Sequence, residues 1–320
     1  MNAIDLRPID IEHDFGQLAE LFTLEDDPIS EPDLVEDYKA HQERIFRLMA
    51  AVDEQGNLMG FNWATRSRFD PAEAYFYIIV KPERRGQGAG RLLYQDFEQA
   101  AIAAQVKLVR ASVWDDRPTD RAFAERRGFT ERAHRLAMEL DLSSFDDRPY
   151  EQMLESLRSQ GFEFTSMEAL GNTEEAQRRL YSLNDATSMD TPGSEGEHPW
   201  TSFEDFQQKV CQSNWYIPAG QKVAIDTASG DWAAMSAITR FKGAEHAYNL
   251  HTGVARTYRG RKLAQAVKIT ALRYAREALQ VTRVRTHHNS RNDPMIAIDR
   301  KFGYYQIRGT YAMEKNLASD

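Results

Sequence analysis

Apolar residues along the chain recur at two spacings, every second position or every third to fourth, and stretches of the two kinds take turns. Residues 3–9 read as a short strand, and 12–23 and 31–44 as helices. "FRLMAAVD" and "MGFNWATRS" read as strands joined by the turn "EQGN". "AYFYIIV", residues 74–80, is dense in aromatic and β-branched residues and predicts a buried strand. Leu93, Phe97, Ala101 and Ala104 then fall on one helical face. "LVRASVW" is the next strand, 118–127 the next helix, Gly128 its C-terminal cap, and "RAHRLAMELDL" a closing strand.

The same order returns from "FEFTSM" onward. "QKVAIDT" and "WAAMSAITRF" flank the turn "ASGD", and "HAYNLHTGV" takes the place of the buried strand. Leu263, Val267, Ala271, Tyr274 and Ala278 form the helical stripe, "TRVRTHH" follows, and a helix from Asn292 ends at Gly303. Val80 and Val254 stand 174 residues apart, as do Arg85-Gly86 and Arg259-Gly260; Gly128-Phe129 and Gly303-Tyr304 stand 175 apart. A near-constant offset this long is no solenoid period. It predicts two related domains in tandem, 1–144 and 161–320, joined over 145–160. There Asp147, Pro149, Met153, Leu154 and Leu157 predict a connecting helix stopped by Gly161.

Composition narrows the class. The chain has 320 residues, 42% hydrophobic and 28% charged, which suits a soluble two-domain protein. One cysteine, Cys211, excludes an internal disulfide and fits a cytoplasmic setting. The start lacks the basic and apolar regions of a secretory signal, and no run is apolar enough for a membrane span. A net charge of −9 argues against nucleic acid as a partner and favours cationic or neutral ligands.

The chemistry concentrates in "RRGQGAG", residues 84–90, between the buried strand and a helix. A helix N-terminus leaves N–H groups unpaired and carries partial positive charge, and glycines let such a turn close on a phosphate. Arg84, Arg85 and Arg91 add charge. The dinucleotide fingerprint fails because its last glycine would fall on Arg91, and the Walker pattern fails for want of the Lys-Ser/Thr ending. "VKPERRGQGAGRLL" resembles the acetyl-coenzyme A motif of the GNAT acyltransferases, V-x-P-x-x-R-G-x-G-x-G, whose core of Gln or Arg, then Gly, then Gly or Ala is matched by Arg85, Gly88 and Gly90. "FAERRGF" resembles the end of that family's fourth helix, and "TGVARTYRGRKLAQAVK" resembles the same motif again, matched at Arg259 and Ala264 but with Lys262 for the middle glycine.

The resemblance implies an α/β (α+β) chain of two tandem GNAT-like domains, each a mixed, splayed central sheet flanked by helices. It implies acetyl-CoA, or another acyl-CoA, as co-substrate and no metal. Pantetheine would pair with Ile78, Ile79 and Val80, and pyrophosphate would sit on the amides of Arg85, Gly86, Gln87, Gly88, Ala89 and Gly90. The second-half counterparts are Thr252, Val254, Arg259, Gly260, Lys262 and Ala264, with Asn292 either contacting coenzyme A or capping its helix. Lysine at 262 fits without strain if φ is negative, whereas a positive φ is expected to distort the turn and exclude coenzyme A.

Acyl transfer to an amine of pKa near 10.4 needs that amine deprotonated, which costs about 4.6 kcal/mol at pH 7. Relatives commonly use a glutamate on the fourth strand as base and a tyrosine on the last helix as acid. Glu73 stands near the first place; the second half offers Tyr248, His251 and, further out, Glu245. Ala124 and Asp299 occupy the tyrosine's place. His251, His287 and His288 lack the spacing of a metal site. The acidic stretch 24–37 and Asp185, Asp190, Glu195 and Glu197 suggest a funnel for a small cationic amine or a solvated face, and 189–200 reads as a polar loop over the second site. An N-acyltransferase, a non-catalytic acyl-CoA sensor, and one catalytic half beside a scaffold half all remain open.

Overall fold

The computed structural model describes residues 4–24, 29–67, 70–194 and 198–317. Two compact units emerge: Met1–Val113 with Arg117–Arg132 and Tyr311–Asp320, and Trp114–Asp116 with Ala133–Thr310.

The first unit runs β1 (Asp5–Pro8), α1 (Phe15–Leu24), α2 (Glu31–His41), β2 (Ile45–Val52), β3 (Leu58–Arg66), β4 (Glu73–Val80), α3 (Ala89–Ala103), β5 (Leu108–Trp114) and α4 (Pro118–Glu125), then the start of β6 (Thr130–Asp141). Strand neighbours run β1-β2-β3-β4-β5. Period-two alternation puts opposite faces of β4 into different cores. Ile79 packs with Phe15, Leu18, Leu21 and Phe61 beneath α1. Phe76 stacks on Phe97 of α3 at 4.2 Å between ring centres. Helix α2 begins where Ser30 Oγ accepts from Asp33 N at 3.3 Å, with Pro32 in the first turn.

The second unit runs α5 (Glu151–Ser159), β7 (Phe162–Ser166), α6 (Glu174–Ser188), α7 (Phe203–Phe206), β8 (Gln221–Asp226), β9 (Trp232–Thr239), β10 (Ala247–Val254), α8 (Leu263–Glu277), β11 (Arg283–Asn289), α9 (Asp293–Phe302) and β12 (Tyr305–Asn316). Its strand neighbours run β7-β8-β9-β10-β11-β6. Leu180, Phe206, Val223 and Met235 pack on the α6 side, and Leu154, Val267, Leu272 and Phe302 on the other. Helix α5 stands where the sequence predicts a helix, but within the second unit rather than between the two, and Gly161 follows it at φ +90°.

The repeats follow one another along the sequence, but the compact units do not follow a single cut at 144–161. Residues 133–141 of β6 belong to the second unit, where Arg135 to Asp141 pair antiparallel with Asn289 to Arg283. The end of β12 belongs to the first unit. There Leu317 N donates to Lys107 O at 2.7 Å, Lys315 Nζ reaches Glu98 at 2.6 Å, and Met313, 1% exposed, joins Phe97 and Val109. Each repeat thus gives part of its last strand to the other unit's core.

Met313→Ala therefore acts on the first unit. Loss of a buried methionine side chain should destabilise that unit by about 2–5 kcal/mol, read as an earlier urea transition in Trp63 fluorescence. Equal shifts in both units would contradict the strand assignment.

Candidate functional site

In the first unit, β3 pairs with β4 along its whole length, from Gly60 opposite Val80 to Arg66 opposite Ala74. On the other edge, parallel β5 meets β4 only where Glu73, Ala74 and Tyr75 face Leu108, Val109 and Arg110. Beyond Tyr75 the two strands part. Residues 76–80, which include Ile78, Ile79 and Val80, present one edge that β5 does not cover. Buried backbone groups need partners, so such an edge asks for a ligand or water.

The edge leads into the glycine turn. Lys81 N donates to Met59 O at 2.8 Å, and a short 3₁₀ turn spans Pro82–Arg84. Arg85 Nε then donates back to Val80 O at 3.1 Å, tying the turn to the strand. Gly86 has φ +76° and Gly88 φ +108°, and Gly88 is the N-cap of α3 with no side-chain capping bond. The amides of Ala89 and Gly90 open the helix behind it. Gln87 Nε2 donates to Glu83 O at 3.1 Å. Arg84 is not aimed at the turn: it pairs at 3.0 Å with Asp53, which holds the β2–β3 hairpin through Asn57 and Gln55.

The second unit repeats this geometry. Parallel β11 meets β10 only at Ala247 and Tyr248. Arg259 Nε donates to Val254 O at 3.2 Å, Gly260 has φ +79°, and Lys262 is the N-cap of α8 at φ +65°, ψ 13°, with Ala264 in the first turn. The turn is not distorted, contrary to the expectation for a positive φ. A left-handed α conformation is a sterically allowed well for lysine, at a cost of about 1–2 kcal/mol. The difference lies beside the turn. Asp190 forms ion pairs with both Arg256 and Arg259, and its carboxyl is drawn down to about 2, first by its hydrogen bond to Arg256. Residues after α6 also reach the end of β11: a Cβ on Gly193 would lie 2.6 Å from Asn289 Nδ2. The polar loop expected over the second site therefore holds its arginine; residues 195–197 lie outside the described residues. Asn292 is the N-cap of α9, yet its side chain makes no capping bond.

Unlike β4, β10 carries a register shift between Asn249 and His251. Asn249 fixes it, Nδ2 donating to Ala237 O at 2.8 Å, and Thr252 Oγ1 lies 3.2 Å from Asn249 Oδ1. His251 Nε2 lies 2.9 Å from Thr187 Oγ1 of α6, a partner with no mark in the sequence. Burial lowers His251 to about 4, so the ring is neutral at pH 7 and poorly matched to hold a proton there. Tyr248 bonds through its hydroxyl to His287 Nδ1, and burial raises its pKa. Glu245 sits apart, 87% exposed, 3.5 Å from Arg283.

In the first unit Glu73 lies at the closed end of the splay and pairs with Arg110 at 2.8 Å. Ala124 is buried among aromatics, whereas Asp299 is fully buried in an ion pair with Lys268, itself fully buried, and bonds His288 Nε2 at 2.6 Å. Lysine in a helix reads as a solvated position, so Lys268 escaped notice. Of the acidic covering residues, Asp37 pairs with His41 and Asp185 with His198. Residues 25–28, and Glu195 and Glu197, lie outside the described residues.

Residues 13–129 match the model of the acetyltransferase (GNAT) family. Across both units the chain is similar to a GCN5-related N-acetyltransferase from Sphaerobacter thermophilus, with 99% of this chain and 96% of that one covered, TM-score 0.70 and 17% identity. It is equally similar to a tandem GNAT protein from the clavulanic acid biosynthesis pathway, covering 99% and 100%, at TM-score 0.68 and 18% identity. The fold is that of a tandem GNAT protein. A third GNAT match, a glucosamine N-acetyltransferase region of a fungal β-N-acetylglucosaminidase, covers 98% of this chain and 38% of that one, at TM-score 0.68 and 14% identity. None of the curated proteins matches the sequence. Among the described residues, no group of three or more His, Cys, Asp or Glu is arranged to hold a metal ion, and no helix is long and apolar enough to cross a membrane.

Two half-buried histidines set an acid limit. Burial brings both His251 and His287 from 6.5 to about 4 in the folded chain. Between those values the unfolded chain binds more protons, so stability falls as pH drops through the window. His251→Gln should reduce the loss between pH 6.5 and 4 by about 2 kcal/mol in urea unfolding. An unchanged pH slope would show that His251 is ordinary in the folded state.

Proposed function

We propose that the first unit is an acyl-CoA-dependent N-acyltransferase, moving an acetyl group to a primary amine. One observation carries the reading: the edge of β4 left uncovered by β5 runs straight into a left-handed glycine turn at an uncapped helix N-terminus. Backbone N–H groups of the turn and of α3 suit a pyrophosphate, and the edge at Ile78 to Val80 suits an amide-bearing arm. Bound acetyl-CoA would supply an activated thioester carbonyl. The new bond joins amine nitrogen to the acetyl carbon, the carbon–sulfur bond breaks, one proton leaves the amine, and one is available to the departing thiolate. The uncovered edge of β4 offers N–H groups that can polarise the carbonyl. Glu73, paired with Arg110, suits orientation of a cationic or polar acceptor better than direct proton removal.

In the second unit, Asp190 already occupies Arg259, the arginine a phosphate would use. Weak binding there follows from this competition. Burial of Ala124 and the Glu73–Arg110 pair favour, as a second reading, a protein that binds acyl-CoA without transferring the acyl group. Thiol release from acetyl-CoA with a panel of amines separates the two.

Gly88→Val tests the first site. At φ +108° a β-branched residue is strained, so acetyl-CoA affinity measured by calorimetry should fall tenfold or more. Unchanged affinity in a folded variant would sink the proposal. Adding Asp190→Asn to that variant should restore measurable binding through the second turn by freeing Arg259; no gain would mean that Asp190 is not the obstacle.

A further inference from the structure

We infer that the cavity beside β4 in the first unit takes the aromatic ring of an arylalkylamine, the acceptor of the reaction proposed above, on whose reading this inference rests. Odd-numbered residues of β4 share one face. Ile79 is covered by α1, and Tyr77 meets Phe22 at the end of that helix, ring centres 5.6 Å apart and nearly perpendicular. Tyr77 is 51% exposed and Tyr75 44%. Register puts Trp63 opposite Tyr77 and Thr65 opposite Tyr75. A cavity of about 400 Å³ lies over these side chains, with Phe22, Trp63, Tyr75 and Tyr77 as its aromatic walls and Asp37 and Arg44 among its polar ones. That volume is within the range of small-molecule sites.

Tyr75, whose hydroxyl accepts from Arg110 at 3.4 Å, and Tyr77 are thus neighbouring tyrosines about half exposed on one sheet face. Aromatic residues there offer flat apolar area at little entropic cost. Charge does not dominate the walls. Asp37 is matched by His41 at 3.0 Å, and Arg66 sends its guanidinium to Pro71 O and Ala104 O at 2.5 and 2.6 Å, over the ring of Phe46. A planar ring finds four aromatic side chains, Phe22, Trp63, Tyr75 and Tyr77, in the walls. The cavity also has the right neighbour: Tyr77 directly precedes Ile78, on the uncovered edge assigned to the acyl donor. A ring held at Tyr75 and Tyr77 with its amine on a short tether thus puts the nitrogen toward that edge.

The test compares 2-phenylethylamine with putrescine, both primary amines, using the full chain. Binding is measured by saturation-transfer NMR, and transfer by thiol release from acetyl-CoA. 2-Phenylethylamine should bind and react in preference. Tyr77→Ser and the Tyr75→Ser/Tyr77→Ser double variant should raise its KM at least tenfold, leave the KM for acetyl-CoA unchanged, and spare any putrescine turnover. Tyr77→Phe should rescue. Both tyrosines are exposed, and a thermal melt checks that the variants fold. Preference for putrescine, or a 2-phenylethylamine KM indifferent to both serine variants, overturns the aromatic site while leaving acyl transfer standing. Tyrosine-dependent binding of 2-phenylethylamine without thiol release supports the site and overturns the transferase reading instead.

Discussion

Strands β4 and β5 share three paired residues and then separate, and β10 and β11 share two. The rest of each unit is organised around that parting. A parallel pair that continued to its end would satisfy its backbone internally and leave no cleft. Parted, the outer edge of β4 must find partners elsewhere. The chain supplies one: an arginine Nε from the following turn closes on the strand's last carbonyl, Arg85 on Val80 and Arg259 on Val254. This bond fixes where the turn leaves the strand, and so where the next helix points its N-terminus. The backbone angles agree closely, with Arg85 at φ −66°, ψ 155° and Arg259 at φ −65°, ψ 158°. The turn is therefore set by backbone and arginine, and the residue at the helix cap need only tolerate a positive φ. Glycine does so freely, and lysine at a small cost.

Around that shared frame the two units use different cores. At offsets of 174 or 175, Tyr94, Val113 and Ala124 correspond to Lys268, His288 and Asp299. In the first unit these positions belong to, or pack against, a hydrophobic cluster. In the second they form a buried ionic group, with Lys268 Nζ 4.9 Å from the centre of the Tyr304 ring. Removing charges from water is expensive, and a well-packed apolar trio would serve stability as well or better. What the ionic group adds is direction. It links α8, α9 and β11 through specific atoms, where apolar contacts would permit sliding. The second unit thus has a defined but polar floor, and the first a greasy one.

Much of this was legible in the sequence because the repeat is long and its landmarks are backbone devices. Gly86 with Gly260, and Gly128 with Gly303, all have positive φ, which is why glycine stands at these matching places in both halves; opposite Gly88, Lys262 takes the same left-handed conformation. The buried strands declared themselves by composition, and α5 by Pro149 and Gly161. The crossing of the last strands did not. β6 and β12 each alternate apolar and polar residues, and such a pattern states which face is buried without naming the neighbouring strand. Met138 and Met313 are equally buried, one in each unit's core. The pairing of Asp190 with Arg259 was equally silent, since 69 residues separate them and an aspartate in a polar loop reads as solvated.

The residues that sequence reasoning nominated for proton transfer fare differently from those nominated for binding. Binding groups are mostly backbone, and their geometry follows from the splay. Proton-transfer groups are side chains, and their environments decide their use. Glu73 meets an arginine, and His251 is enclosed by Thr187 and the close approach of Gly253. Burial lowers His251 to about 4, so that ring is no base near neutral pH. An amine that arrives already largely neutral, or that loses its proton to water at the cavity mouth, would need neither group. The aromatic walls at Tyr75 and Tyr77 favour that route: they disfavour the hydrated ammonium relative to the neutral amine as the ring is drawn in, provided no carboxylate is left unmatched to hold the charge. Among the described residues, Asp37 lies 3.0 Å from His41 and Glu73 2.8 Å from Arg110, so each of these carboxylates already has a partner.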